Sequence, residues 1–251
     1  MKKLFLSSAA LMISLFFSFT ATAQTIDKPL PHFDKLIASP FVNVVLTEGD
    51  QEHIRLEYTG VEPQKINYTV KGKTLRIYLD DARITVKQRK HYDEDGYEYK
   101  KPIYENVQIT AYVTYRQLRS LEVRGEEKVT CETPLTVDDF TLKIYGQSKV
   151  TLAGLETGHL SASLYGENKL AIQSGNSQTQ KYRVYGENQI DTKNFTSKHI
   201  SASSIGESRL NLHASDELRV TTVGESDVYN AGQGHTSKRL TLGRSNVQPN
   251  R

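Results

Sequence analysis

From residue 121 onward, apolar and polar residues alternate in short runs, and the runs are punctuated by glycine at a regular distance. The segments read VRGEEKVTC at 123–131, IYGQSKVTL at 144–152, LYGENKLAI at 164–172 and VYGENQIDT at 184–192. SIGESRLNL, TVGESDVYN and TLGRSNVQP follow, starting at 204, 222 and 241. The glycines are Gly125, Gly146, Gly166, Gly186, Gly206, Gly224 and Gly243, spaced 18 to 21 residues apart. Counted from each glycine, position +4 is always apolar (Val129, Val150, Leu170, Ile190, Leu210, Val228, Val247), +6 is often so, and +3 and +5 are mostly polar. That is period two, the pattern of a half-buried strand, and no window keeps a helical period with caps.

About twenty residues cannot bury an apolar face alone, so the laps must stack on one another. The pattern therefore predicts an all-β chain coiled as a β-solenoid, each coil roughly 4.8 Å above the last. The glycine is expected at a corner, where the chain needs positive φ or no Cβ. Position +2, one residue beyond the next, reads Glu127, Ser148, Asn168, Asn188, Ser208, Ser226 and Ser245. Short polar side chains there are expected to bond nearby backbone and, when stacked, one another.

Residues 24–120 lack the glycine spacing but remain β-like, as an N-terminal region continuous with the solenoid or capping it, ahead of regular coils over 121–251. SPFVNVVLTEGD at 39–50 reads as a divergent corner, with Pro40 in glycine's place and Val44 and Leu46 at +4 and +6. HIRLEY, KINYTV and TLRIYL are short alternating runs. The charged, tyrosine-rich stretch at about 86–107 surrounds an Asp95-Gly96 turn and is expected to protrude as a hairpin or loop.

The first 23 residues change the picture of location. Lys2 and Lys3 precede an apolar run from Leu4 to Phe19, and Ala21-Thr22-Ala23 is a small-x-small cleavage site. This is the pattern of a secretory signal peptide, leaving no membrane span after cleavage and a mature chain from Gln24. Losing Lys2 and Lys3 lowers the formal net charge of +3 by two, to +1, so charge balance gives no reason to expect nucleic acid. The single Cys131 has no internal disulfide partner and, at a +6 position, is expected to fill core.

The signal peptide, FDKLIASPFVNVVLTEGD, TLRIYL and the repeated corners together resemble the auto-transporter adhesin "head GIN domain" family, over nearly the whole mature chain. The resemblance implies a right-handed parallel β-helix exported by a Gram-negative bacterium, to the periplasm or the cell surface. It carries no catalytic residues, and the 86–107 insertion departs from the more compact family pattern.

Stacking turns sequence columns into surface ladders. Position +1 gives an acidic ladder of Glu126, Glu167, Glu187, Glu207 and Glu225, interrupted by Gln147 and ended by Arg244. Carboxylates ~4.8 Å apart repel by about 0.9 kcal/mol per pair even in bulk water, so compensation is expected. The +3 column of Lys128, Lys149, Lys169 and Arg209 is the simplest source; a cation held between Glu187 and Glu207, or by Glu225 with Asp227, is the alternative, although calcium wants more oxygens. Position −1 gives an outward apolar stripe of Tyr145, Tyr165, Tyr185, Ile205, Val223 and Leu242. A stripe that long is expected to be covered, by a second copy or the N-terminal region, or to bind sugar; the alternative is a ladder that only stabilises neighbouring strands. Position −2 is apolar at Val123, Ile144, Leu164 and Val184 but becomes Ser204, Thr222 and Thr241. Either the coil buries hydroxyls there, or the inward phase slips by one residue, burying Ile205, Val223 and Leu242 and shortening the stripe.

The histidines do not converge in a metal-binding pattern, and no nucleophile triad, nucleotide fingerprint or carboxylate dyad stands out. No catalytic, metal or cofactor residue is assigned. The favoured reading is a non-catalytic envelope protein whose solenoid presents a surface for adhesion to an envelope protein, a glycan or another copy. The alternative is a polysaccharide lyase or hydrolase, since β-helices also carry such enzymes.

Overall fold

The computed structural model describes residues 24–249; the signal-peptide expectation for residues 1–23 lies outside them. The chain opens with β1 (Gln24–Pro29), β2 (Lys35–Ala38), β3 (Val42–Glu48), β4 (His53–Thr59), β5 (Ile66–Lys71) and β6 (Thr74–Leu79). A separate hairpin, β7 (Gln88–Tyr92) with β8 (Glu98–Pro102), precedes β9 (Gln108–Tyr115). The coils follow as β10 (Ser120–Gly125), β11 (Lys128–Cys131), β12 (Leu135–Gly146), β13 (Lys149–Leu152), β14 (Leu155–Gly166) and β15 (Lys169–Ile172). They continue through β16 (Gly175–Gly186), β17 (Asn188–Asp191), β18 (Phe195–Leu212), β19 (Ala214–Asn230), β20 (His235–Leu242) and β21 (Asn246–Pro249). The arrangement is a parallel β-solenoid of about 6 turns.

Pairing is in register with the sequence repeat. Tyr145 lies beside Tyr165 and Gly146 beside Gly166; Tyr165 then pairs Tyr185 and Gly166 pairs Gly186. Each long strand bends near Asp138, Gly158, Gln178 and Lys198, where the register skips a residue, so one coil has a short wall, a long wall up to the glycine and a third wall after it. The divergent corner is real: β3 pairs with β11, setting Val44 beside Val129 and Leu46 beside Cys131.

The N-terminal region both joins and caps the coils. β2 and β3 form the first coil against β10 and β11. Beyond them, β6 adds in parallel to β2 and is covered by antiparallel β5, while β9 adds to β3 and is covered by antiparallel β4 and then β1. Antiparallel strands thus occupy backbone edges that a bare solenoid would leave open to other chains. At the other end, β20 carries a bulge against β19 between Val220 and Thr221 and places Lys238 opposite Val220, which breaks a flat apolar edge.

One apolar core runs the length of the coils. Its packing is complementary between laps: buried Tyr182 stacks between Ala162 and Ala202, and its hydroxyl donates to Gln180 Oε1 at 2.9 Å. Cys131 is buried and free, with its thiol 3.4 Å from the Tyr115 hydroxyl. Burial pushes that thiol's pKa up, the opposite of an activated nucleophile.

The inward phase does not slip. Ser204 and Thr222 are fully buried, and Ile205 faces out with 43% of its surface exposed. The Ser204 hydroxyl is satisfied at 2.9 Å by that of Ser226, whereas Thr222 Oγ1 has no partner among the described residues. Slippage would have cost the ladder pairing of Gly206 with Gly224 and of every neighbour in register; burying two hydroxyls costs less.

Candidate functional site

The corner is the unit from which every surface column is built. Gly166 has φ +113, and a Cβ placed there would lie 2.2 Å from the carbonyl oxygen of Gly146. That same carbonyl accepts the Glu167 N–H at 2.8 Å, so coils approach too closely here for any side chain. The +2 side chains point inward and knit successive corners. Asn168 Oδ1 accepts from Ser148 N–H at 3.0 Å, Asn188 Oδ1 from Asn168 N–H at 3.1 Å, and Ser208 Oγ from Asn188 N–H at 3.2 Å. Asn168 and Asn188 also donate through Nδ2 to the carbonyls of Tyr165 and Tyr185.

The first corner differs. Pro40 stands where later coils have glycine, and proline cannot take positive φ. The strain moves one residue on, to Phe41 at φ +72. Glu127, in the +2 column, reaches back so that its carboxylate accepts the N–H groups of Phe41 and of Glu126. Burial pushes the Glu127 carboxyl pKa above its ordinary range.

Before each corner the predicted stripe is exposed along the coils. Tyr165 and Tyr185 are solvent-exposed, as are Ile205 and Leu242, with Tyr145 and Val223 half-buried. The three tyrosines stack at 5.1 and 5.0 Å between ring centroids with interplanar angles of 7° and 3°. Their faces are spent on one another, so the ladder presents ring edges and hydroxyls to solvent. The outer faces of Tyr145 and Tyr185 have no tyrosine over them; Ile205 follows Tyr185, and the Arg124 guanidinium sits 5.8 Å from the Tyr145 ring.

Tyr145 also lines an apolar cavity of about 820 Å³ between the hairpin stem and the first corner. Phe41, Ile84, Val86 and Tyr104 form its walls, and Phe41 meets Tyr104 edge-to-face at 5.8 Å. The repeat gives no hint of this cavity, because half of it comes from the non-repeating insertion. The substitution of Pro40 for glycine was the readable signal that this corner is unlike the others.

After each corner, the acidic ladder lines a shallow groove of about 480 Å³ holding Glu167, Glu187, Glu207 and Glu225. The expected compensation takes another form. Lys149 and Lys169 stack on each other in the +3 column, and among the described residues no ladder glutamate is within 4.0 Å of a lysine or arginine nitrogen. Asp227 instead pairs with Arg209 at 3.7 Å. The ladder carboxylates reach into solvent, where screening keeps their repulsion small. Among the described residues no group of three or more His, Cys, Asp or Glu is placed to hold a metal ion. His159 bonds Thr179 at 2.7 Å, and Thr179 separates it from His199.

The family model described as "Putative auto-transporter adhesin, head GIN domain" matches residues 32–234. The chain belongs to the head GIN domain family. Its fold resembles solved structures: a protein of Bacteroides fragilis described as a putative adhesin aligns with TM-score 0.73 at 18% identity, over 92% of this chain and 98% of that one. A Parabacteroides merdae protein described in the same way gives 0.67 at 12% identity, with 92% and 98% covered. A Parabacteroides distasonis protein described as a putative lipid binding protein gives 0.65 at 14%, again over 92% and 98%. Among curated proteins none matches. The head GIN coils here carry a half-aromatic stripe and an apolar cavity at its upper end. No helix of the described residues is long and apolar enough to cross a membrane.

Proposed function

We propose that this head GIN domain protein is an exported, non-catalytic module of the bacterial cell envelope that holds a protein or glycan partner against the long wall of its solenoid. The observation that carries the reading is the outward column from Tyr145 to Leu242, largely exposed and set on strands paired in register from coil to coil. Such a surface gives a long, preorganised contact at small entropic cost. Catalysis would call for convergent groups with opposed protonation roles, and the titratable residues here are spread in ladders instead. The leader pattern and the adhesin family support export, with periplasm and outer surface both compatible.

The test is a screen of glycans, polysaccharides and envelope proteins with the mature chain, reading binding and release of new reducing ends separately. Binding without release is expected; release from any polysaccharide overturns the reading in favour of a lyase or hydrolase.

A second reading is favoured by the cavity beside Phe41. Its volume falls within the range of small-ligand sites and its walls suit an apolar chain or ring, a chemistry that the description of one structural neighbour also names. Fluorescence of an anthroyloxy fatty acid should rise on mixing with the mature protein and fall back in Phe41→Ala; no rise removes this reading.

A further inference from the structure

The long wall carries a charge pattern that net charge conceals. Its strands stack in the order β6, β2, β10, β12, β14, β16, β18, β19, all parallel. Two outward columns next to the apolar stripe hold Arg76, Lys35, Lys143, Lys181, Arg183 and Arg219 against one carboxylate, Glu122. Arg124 already binds Glu122 at 2.7 Å, and Arg219 holds Glu217, from the neighbouring corner column, at 2.7 Å. Asp139 is the other carboxylate of that corner column. The five remaining cations enter no ion pair among the described residues. The acidic ladder lies on the other side of the corner and shares its wall with Lys169 and Arg209, whereas the long-wall columns are cationic almost throughout.

The cations are periodic as well as clustered. From β2 onward they occur on β2, β12, β16 and β19, every second strand, a repeat of roughly 10 Å. The strands between offer hydroxyls: Ser120 on β10, Ser161 on β14, Ser201 and Ser203 on β18. Two hollows open along this wall, about 420 Å³ beside Lys35, Arg76 and Lys143, and about 260 Å³ beside Lys181 and Arg219.

We infer that the long wall binds a linear acidic polysaccharide that runs along the solenoid axis and carries one anionic group per disaccharide. Two strand spacings match one disaccharide of an extended, equatorially linked chain. Anionic sugars then fall on the cationic strands and neutral sugars on the Ser-bearing ones. Nucleic acid does not fit this ruler, because its phosphates repeat at about 3.4 Å of axis per strand. The inference rests on the binding-module reading and names the ligand class for the same wall.

The probe is hyaluronan, which has one carboxylate per disaccharide, as tetrasaccharide and octasaccharide, with chito-oligosaccharides of equal length as neutral controls. Calorimetry with the mature protein should show octasaccharide binding that weakens with salt, weaker tetrasaccharide binding and no neutral binding. Lys143→Gln/Lys181→Gln/Arg183→Gln should weaken the octasaccharide about tenfold, as expected for three exposed ion contacts, with the melting temperature unchanged. The inference is overturned by absent octasaccharide binding, by unchanged binding in the triple variant, or by equal affinity for the neutral chain. Neutral-glycan binding that is lost in Tyr165→Ser/Tyr185→Ser overturns it while leaving the binding module intact. Release of reducing ends overturns the non-catalytic reading instead, and the affinities still decide this one.

Discussion

Gly166→Ala is the sharpest probe of why the repeat exists. At φ +113 an L-residue lies outside its allowed basins, which costs about 1–3 kcal/mol. The new methyl would stand 2.2 Å from Gly146 O, so that carbonyl must swing away and loosen the Glu167 N–H bond it accepts at 2.8 Å, about 1 kcal/mol more. Further displacement runs on to the next coil, where Gly166 O itself accepts Glu187 N–H at 3.0 Å. The expected loss is about 3–5 kcal/mol, or a fall of about 10 °C in Tm for a chain of this size. Gly72→Ala supplies the comparison: Gly72 also has positive φ, +55, but sits in the β5–β6 hairpin turn with nothing within 4 Å of its missing Cβ. It should lose only about 1–2 kcal/mol. Both are read by urea unfolding of the mature chain under circular dichroism. Equal effects for the two would refute the argument that stacked corners exclude a side chain.

Thr222→Val removes a buried hydroxyl that has no partner while keeping its shape, and should raise stability by about 1 kcal/mol in the same unfolding assay. Asn188→Ala strips the acceptor from Asn168 N–H and should cost about 2 kcal/mol, with hydrogen exchange speeding at Asn168 first. Because burial raises the Glu127 carboxyl pKa in the folded state only, the fold binds that proton more tightly than the unfolded chain does. Stability contributed by Glu127 therefore rises as pH falls from neutral through the raised value, and denaturation across mildly acidic pH should show this dependence diminished in Glu127→Gln. Tyr165→Ser/Tyr185→Ser should lower the sedimentation coefficient if the exposed stripe joins two copies; an unchanged coefficient assigns the stripe to a different partner or to strand stacking alone.

The coils were legible because their physics is local and repeated. Gly at each corner and an inward residue at +4 in all seven copies, with an amide or hydroxyl at +2 in six of them, each answer one requirement of stacking and make it visible. The stripe followed from the same register, although Ser204 and Thr222 made its lower half ambiguous: hydroxyls at inward positions mimic a phase change, and only the continuous pairing of β18 with β19 resolves it. The acidic ladder was placed on the correct edge, but its counter-charges were not, since side-chain reach depends on how sharply the corner turns. The cavity depends on Phe41, Ile84, Val86 and Tyr104, which no periodicity relates. The basic wall lies in columns −3 and −5, on the same face as the stripe, and emerges once β2 and β6 are known to extend those columns upward.

Cross-linking tests most directly whether residues one repeat apart are surface neighbours. Lys169 and Gln189 are exposed and paired on adjacent strands, roughly 4.8 Å apart, within the Cα range of about 4.4–6.8 Å that a disulfide spans. In a Cys131→Ser background, Lys169→Cys/Gln189→Cys should oxidise to a single intramolecular disulfide without loss of fold. Lys149→Cys/Gln189→Cys, two strands apart, should stay reduced. The reverse outcome, or equal oxidation of both pairs, would contradict the stacked-coil geometry from which the stripe, the ladders and the basic wall all follow.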